Sequence, residues 1–173
     1  MKNKKIFIGG SLAVVIAVIA SLIYTITVFS NNAHIRVEYS ITYEAGKTDE
    51  GKDYIVYNLV LSNESAKALI NFDADISLDD QMKEFTQLLS FITEPMNLPA
   101  KDSKNLNRNK IIYSKKTAIN KFSSMNKEQI EKLNNIYSNI KIDMSWIGGK
   151  REVSLSKNDL INGSILDLTE ISN

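Results

Sequence analysis

Cysteine is absent from the 173 residues. Disulfides, a thiolate zinc site, thiol catalysis and a lipid-modified cysteine are therefore excluded, and whatever folds here is held by burial alone. Histidine occurs once, as His34. That leaves no histidine cluster for zinc and no well-placed histidine base. Glycine is sparse, at seven residues, and none of it forms a phosphate-cradling loop after a strand or a Gly-x-Ser-x-Gly elbow. Proline occurs twice, at Pro95 and Pro99. An excess of positive charge is missing too. With 21 Lys and Arg against 20 Asp and Glu, the chain lacks the cationic surplus that phosphate neutralisation on nucleic acid requires.

What the sequence does contain is one long apolar run. Ile6 to Phe29 is 24 residues without a charge. At about 1.5 Å per residue it reaches roughly 36 Å, enough to cross a hydrocarbon core of about 30 Å with some tilt. Lys2, Lys4 and Lys5 precede it, and no basic residue follows until Arg36. The positive-inside rule then predicts residues 1–5 in the cytoplasm, 6–29 as a single transmembrane helix, 30–34 as a short linker and 35–173 as an extracytoplasmic domain. A cleaved signal peptide is the rival reading. Its apolar region should be shorter, and cleavage near Ala17–Ala20 would leave Leu22 to Phe29 as a greasy new terminus.

The remainder reads as mainly β. Ile35, Val37, Tyr39, Ile41 and Tyr43 alternate with polar residues, the period-2 pattern of a half-buried strand. Tyr54 to Ser62 is a second strand, and Leu69 to Leu78 a third with Ile70, Phe72, Ala74, Ile76 and Leu78 facing inward. Asp79 and Asp80 open a helix with Met82, Phe85, Leu88, Leu89 and Ile92 at helical spacing, ended by the prolines. Residues 100–110 are a polar loop, and Lys110 to Phe122 holds one strand or two short ones. Asn126 caps a second helix, with Gln129 in the reciprocal position. Ile142 to Ile147 and Arg151 to Leu155 form a hairpin around Gly148-Gly149. The expected fold is an immunoglobulin-like β-sandwich with two helical inserts. In general architecture it resembles small membrane-tethered β-sandwich ectodomains of Gram-positive bacteria, a resemblance that implies no residue roles. Lys, Asn and Ile supply 59 residues, a bias associated with AT-rich genomes such as those of such bacteria.

Two runs attract functional readings. Asp73, Asp75, Ser77, Asp79, Gln81 and Glu84 occupy the ligand positions of a calcium-binding helix–loop–helix hand. Leu78 stands where that loop needs Gly, and Asp80 where it is normally apolar. The alternation running through the segment favours Asp73 and Asp75 as the solvated face of a strand, with a looser calcium site at the Asp79-Asp80 corner as the remaining option. The second run, residues 101–121, carries Lys101, Lys104, Arg108, Lys110, Lys115, Lys116 and Lys121 against Asp102 alone, whereas residues 34–100 are net negative. It is either a solvated loop or a patch for an anionic partner, such as lipid headgroups or wall polymer, with attraction of about 1 kcal/mol per charge near a membrane. Trp146 beside Met144 reads as core. Asn63-Glu64-Ser65 and Asn162-Gly163-Ser164 match the glycosylation pattern, which a bacterial host would leave bare.

The expected function is a non-catalytic, membrane-anchored binding or accessory module of the cell envelope, without a resident cofactor. Its partner is expected to be another envelope protein, a wall polymer or anionic lipid. The alternatives are an envelope hydrolase built on paired carboxylates and a calcium-dependent adhesion or sensing domain.

Overall fold

The computed structural model describes residues 33–47, 51–101 and 108–161. The alternating stretches become eight strands: β1 (Ile35–Glu44), β2 (Lys52–Asn63), β3 (Leu69–Leu78), β4 (Ser90–Ile92), β5 (Met96–Leu98), β6 (Lys110–Asn120), β7 (Ile140–Trp146) and β8 (Gly149–Leu155). One α-helix, α1 (Lys127–Ile136), lies between β6 and β7. All pairings are antiparallel. One sheet has the order β1-β2-β6; the other runs β4-β3-β7-β8, with β5 also paired to β3.

The two sheets bury their apolar faces in one shared core. Ile35, Tyr39, Ile41, Ile55, Tyr57, Leu59 and Leu61 come from the first, and Leu69, Phe72, Ala74, Ile76, Ile142 and Met144 from the second. Each fully buried Leu, Ile or Phe contributes about 1.5–3 kcal/mol of transfer free energy. Phe91 of β4 lies between Tyr57 and Tyr113, at ring-centroid distances of 6.3 and 5.2 Å, and closes the seam where the edges of the two sheets meet. Trp146 is buried against Phe72, its ring stacked at 6.4 Å.

Local chemistry explains the element ends. Asn126 accepts from the Gln129 N–H, and the Gln129 side chain accepts from the Asn126 N–H, both at 2.9 Å, so α1 starts with the expected capping box. Its buried stripe is Ile130, Leu133 and Ile136. Gly46 passes so close to the Lys52 carbonyl that a Cβ there would lie 1.6 Å from the oxygen, so the β1–β2 turn admits only glycine at that position.

Two expectations are corrected. The first helical insert is a single 3-10 turn, Asp80–Glu84. Met82 and Phe85 are buried as expected, but the Thr86 hydroxyl then accepts from the Leu88 N–H at 3.2 Å and diverts the backbone. Ser90–Ile92 pairs with β3 instead of continuing a helix, which leaves Ile92 two-thirds exposed. In β3, Ile70 points outward and Leu69 inward. Asn71 adopts φ 53° and the register against β5 shifts between Leu69 and Phe72, so a bulge inserts one extra residue and resets the alternation.

The outer edge of β1 is partly occupied. The Ile161 N–H donates to the Tyr39 carbonyl at 3.0 Å, and the Arg151 guanidinium to the Ile35 carbonyl at 2.8 Å.

Candidate functional site

The chain enters the domain at His34, and this end is tied together by Asn63. The Glu64 N–H donates to the His34 carbonyl at 2.7 Å, and the His34 N–H to the Ser65 hydroxyl at 2.8 Å. The fully buried Asn63 side chain donates to the carbonyls of Lys67 and Pro99 at 2.8 and 2.9 Å and accepts from the Ser65 N–H at 2.9 Å. Its main chain exchanges hydrogen bonds with Asn109, both at 2.9 Å. The Asn63 side chain thus ties the β2–β3 turn to the exit of β5, while its main chain holds the approach to β6. From the sequence, Asn63 was only a strand breaker within a glycosylation pattern. Its burial is invisible without the fold.

The basic run does not form one patch. Lys101, Arg108 and Lys110 stay at this entrance end, where Lys101 forms an ion pair with Glu64 and its N–H donates to the Ser65 carbonyl at 2.9 Å. The Lys101 ammonium holds the Glu64 carboxyl below the usual carboxylate range. Strand β6 then carries the other cations away, since Lys110 pairs with Ser62 and Asn120 with Lys52. Eleven residues at about 3.3 Å each separate its ends by roughly 35 Å. Lys115 sits half-buried midway. Lys116 lies 4.0 Å from the Tyr54 ring centroid and pairs with Glu44 at 2.5 Å. Lys121 donates to the Lys47 carbonyl at 3.2 Å at the far end. Lys104 lies outside the described residues.

The fold groups Lys116 instead with two lysines the sequence had placed elsewhere. Lys52, Lys83 and Lys116 line an open cleft of about 450 Å³ with Glu84, Thr86, Gln87, Asn120 and neighbouring apolar groups. Lys52 donates to the Asn120 side chain at 3.3 Å, and Glu84 is paired with Lys132 at 2.6 Å. The cleft lies toward the end remote from His34. Three ammonium groups beside hydroxyl and amide donors suit an anionic ligand.

The aspartates of the calcium reading are separated by role. Asp79 caps the 3-10 turn, one carboxylate oxygen accepting from the Gln81 N–H at 3.0 Å and the other from the Asn139 amide at 3.2 Å. Asp80 is exposed beside it. Asp73 and Asp75 sit on the outer face of β3, as the alternation predicted. There Asp73 accepts from the Ser145 hydroxyl at 2.6 Å. Asp75 lies directly across from Asp143, which is across from Glu152, so a row of carboxylates crosses three strands. Lys141 bridges Asp143 and Glu152 at 3.3 and 3.0 Å. These residues line a shallow groove of about 460 Å³ with Lys150 and Arg151. Asp143 and Glu152 were missed because cross-strand register cannot be read along the chain.

Among the described residues one carboxylate is buried. Asp53 accepts from the N–H groups of Gly46 and Phe122, at 2.9 and 2.8 Å, and so holds the β1–β2 turn to the exit of β6. Burial and the adjacent Asp53 push the Tyr43 phenol up to about 12.

Among the described residues no group of three or more His, Asp or Glu side chains is arranged to hold a metal ion, and no helix is long and apolar enough to cross a membrane. The apolar run 6–29 and residues 1–5, expected in the cytoplasm, lie outside the described residues. Comparison with protein families, with curated proteins and with solved structures finds no match to this chain.

Proposed function

We propose that the chain is a membrane-anchored binding module of a bacterial cell envelope, Gram-positive by its composition, which holds a cationic cleft outward to an anionic partner and performs no catalysis. The observation that carries this reading is the position of the cleft. Lys52, Lys83 and Lys116 gather toward the end of the domain opposite His34, the point at which an anchor at 6–29 would deliver the chain. A tether so placed turns the cleft away from the bilayer and toward the wall or periplasmic side.

The strand order supports an immunoglobulin-like sandwich. Read as strands A, B and E, the sheet β1-β2-β6 faces a sheet β4-β3-β7-β8 that corresponds to C′, C, F and G, with α1 in the E–F connection. Such sandwiches commonly present partner sites on their faces and end loops.

The test uses the full chain in nanodiscs of neutral phosphatidylcholine, titrated with short polyphosphate as the anionic probe. Binding followed by calorimetry is expected for the parent protein and lost when Lys52, Lys83 and Lys116 are all changed to Glu. Equal binding by both proteins rejects the cleft. A second reading, the carboxylate hydrolase, draws on the cross-strand pair Asp75 and Asp143 in the open groove of the second sheet. Glycan cleavage abolished by Asp75→Asn would favour it over the binding module.

A further inference from the structure

We propose that the entrance end of the domain is a docking surface for an anionic lipid bilayer, seated by the exposed side chains of Ile70 and Ile147 and by Lys67, Lys101, Arg108 and Lys110. This deepens the anchored reading and rests on it.

Three observations converge on this end. The first is apolar. Ile147 occupies the β7–β8 turn, next to Gly148 at φ 93°, and its N–H donates to the Ile70 carbonyl at 2.9 Å. The bulge at Asn71 turns Ile70 outward to 45% exposure, beside Ile147 at 51%. Turn tips ordinarily carry Gly, Asn, Asp or Ser. Two isoleucines there are the apolar component of an interfacial site.

The second observation is charge. Lys67 lies in the turn between β2 and β3, Lys101 follows β5, and Arg108 and Lys110 lead into β6. Among the described residues of this end, Lys101 offsets Glu64 and Arg36 offsets Glu38 at 3.0 Å, so the net positive charge comes from Lys67, Arg108 and Lys110, and it complements an anionic leaflet.

The third observation is where the described chain begins. Hydrogen bonds from the Glu64 N–H to the His34 carbonyl and from the His34 N–H to Ser65 fix its entry at this same end. The apolar run stops at Phe29, and five residues span at most about 18 Å. The surface attraction of an anionic leaflet decays over a Debye length of about 8 Å at physiological salt. A tether this short keeps the cations within one or two such lengths and holds them at high effective concentration.

The test uses the full chain, which has no native cysteine, so single-cysteine variants carry one label each. Ile147→Cys and, at the opposite end, Asp80→Cys are spin-labelled and reconstituted in vesicles of phosphatidylcholine with or without phosphatidylglycerol. Accessibility to oxygen and to a water-soluble nickel chelate is then compared, with alkaline extraction in parallel. The Ile147→Cys label is expected to move into the oxygen-rich lipid regime when phosphatidylglycerol is present, while the Asp80→Cys label stays in water. Neutralisation of Lys67, Arg108 and Lys110 to Gln is expected to lower the seated population about fivefold per cation. If the chain resists extraction and the Ile147→Cys label stays in water in both membranes, the docking surface is overturned. If alkali releases the chain, the anchored reading itself fails.

Discussion

The Tyr57 hydroxyl reaches across the core from β2 and donates to the carbonyl of Tyr137 at 3.0 Å. Tyr137 is the C-terminal cap of α1, so this bond satisfies one of the carbonyls that a helix end leaves without an intrahelical partner. Tyr39 repeats the device on β1, donating to the Ser138 carbonyl at 3.1 Å. The first sheet and the end of the helix are thus fixed to one another by two phenols, beyond the non-directional burial around them.

Removing either hydroxyl strands a buried carbonyl. Tyr57→Phe and Tyr39→Phe are each expected to cost about 1–2 kcal/mol, read from urea unfolding of the full chain in detergent. Unchanged midpoints in both variants would show that the carbonyls find other partners.

The same phenols make the fold sensitive to alkali. Burial raises Tyr39 and Tyr57 well above the ordinary phenol value, and Tyr43 to about 12. A folded-state pKa above the unfolded one means that stability is complete below about pH 10 and is lost as pH rises toward and through the folded value. All three phenols contribute to the loss above about pH 10; the share of Tyr43 is complete near pH 12, while that of the two buried phenols goes on growing. Phenolate absorbance should therefore lag free tyrosine and rise together with unfolding followed by circular dichroism. Full titration of the tyrosines with native dichroism intact would contradict this.

Asn63→Ala deletes the amide that ties the β2–β3 turn to the exit of β5. The carbonyls of Lys67 and Pro99 and the Ser65 N–H lose their partner together. A loss of about 3 kcal/mol or more is expected. Hydrogen exchange should quicken most at His34, Ser65 and Lys101, because opening starts at that end.

Gly149→Ala tests the second hairpin. A Cβ there would stand 2.7 Å from the Trp146 indole, which must tilt away from Phe72. The expected cost is about 1–3 kcal/mol, with red-shifted fluorescence. Trp146 is the chain's single tryptophan, so the emission reports this site alone.

Asp75→Asn removes one of two like charges set directly across a strand pair from each other, Asp75 and Asp143. Stability should rise by about 0.2–1 kcal/mol, more at low salt. A melting temperature that rises with millimolar calcium in the parent but not in the variant would instead revive a calcium role for this face.

Much of the fold was legible because strand alternation and helix capping are local. The inward row of β1 and the Asn126–Gln129 cap appear as read. The reading failed where a non-local effect overrode the pattern. Met82, Phe85, Leu88, Leu89 and Ile92 have helical spacing, yet the edge of β3 drew Ser90–Ile92 into a ladder. Ile70 keeps the parity of its strand in sequence and loses it to a bulge at Asn71. The surface was less legible than the core. A run of lysines contiguous in sequence is drawn out along β6, while Lys52, Lys83 and Lys116 meet only because register and a returning loop bring them together.

Ile161 and Arg151 occupy carbonyls on the exposed side of β1, one of the two edge strands of its sheet. For a protein anchored as proposed above, this has a consequence in the plane of the membrane. Copies sharing a patch of lipid collide edge-on far more often than free copies would, and an open rim invites stacking into ribbons. With two of its acceptors already taken by the chain's own residues, β1 offers neighbours a broken template for such stacking.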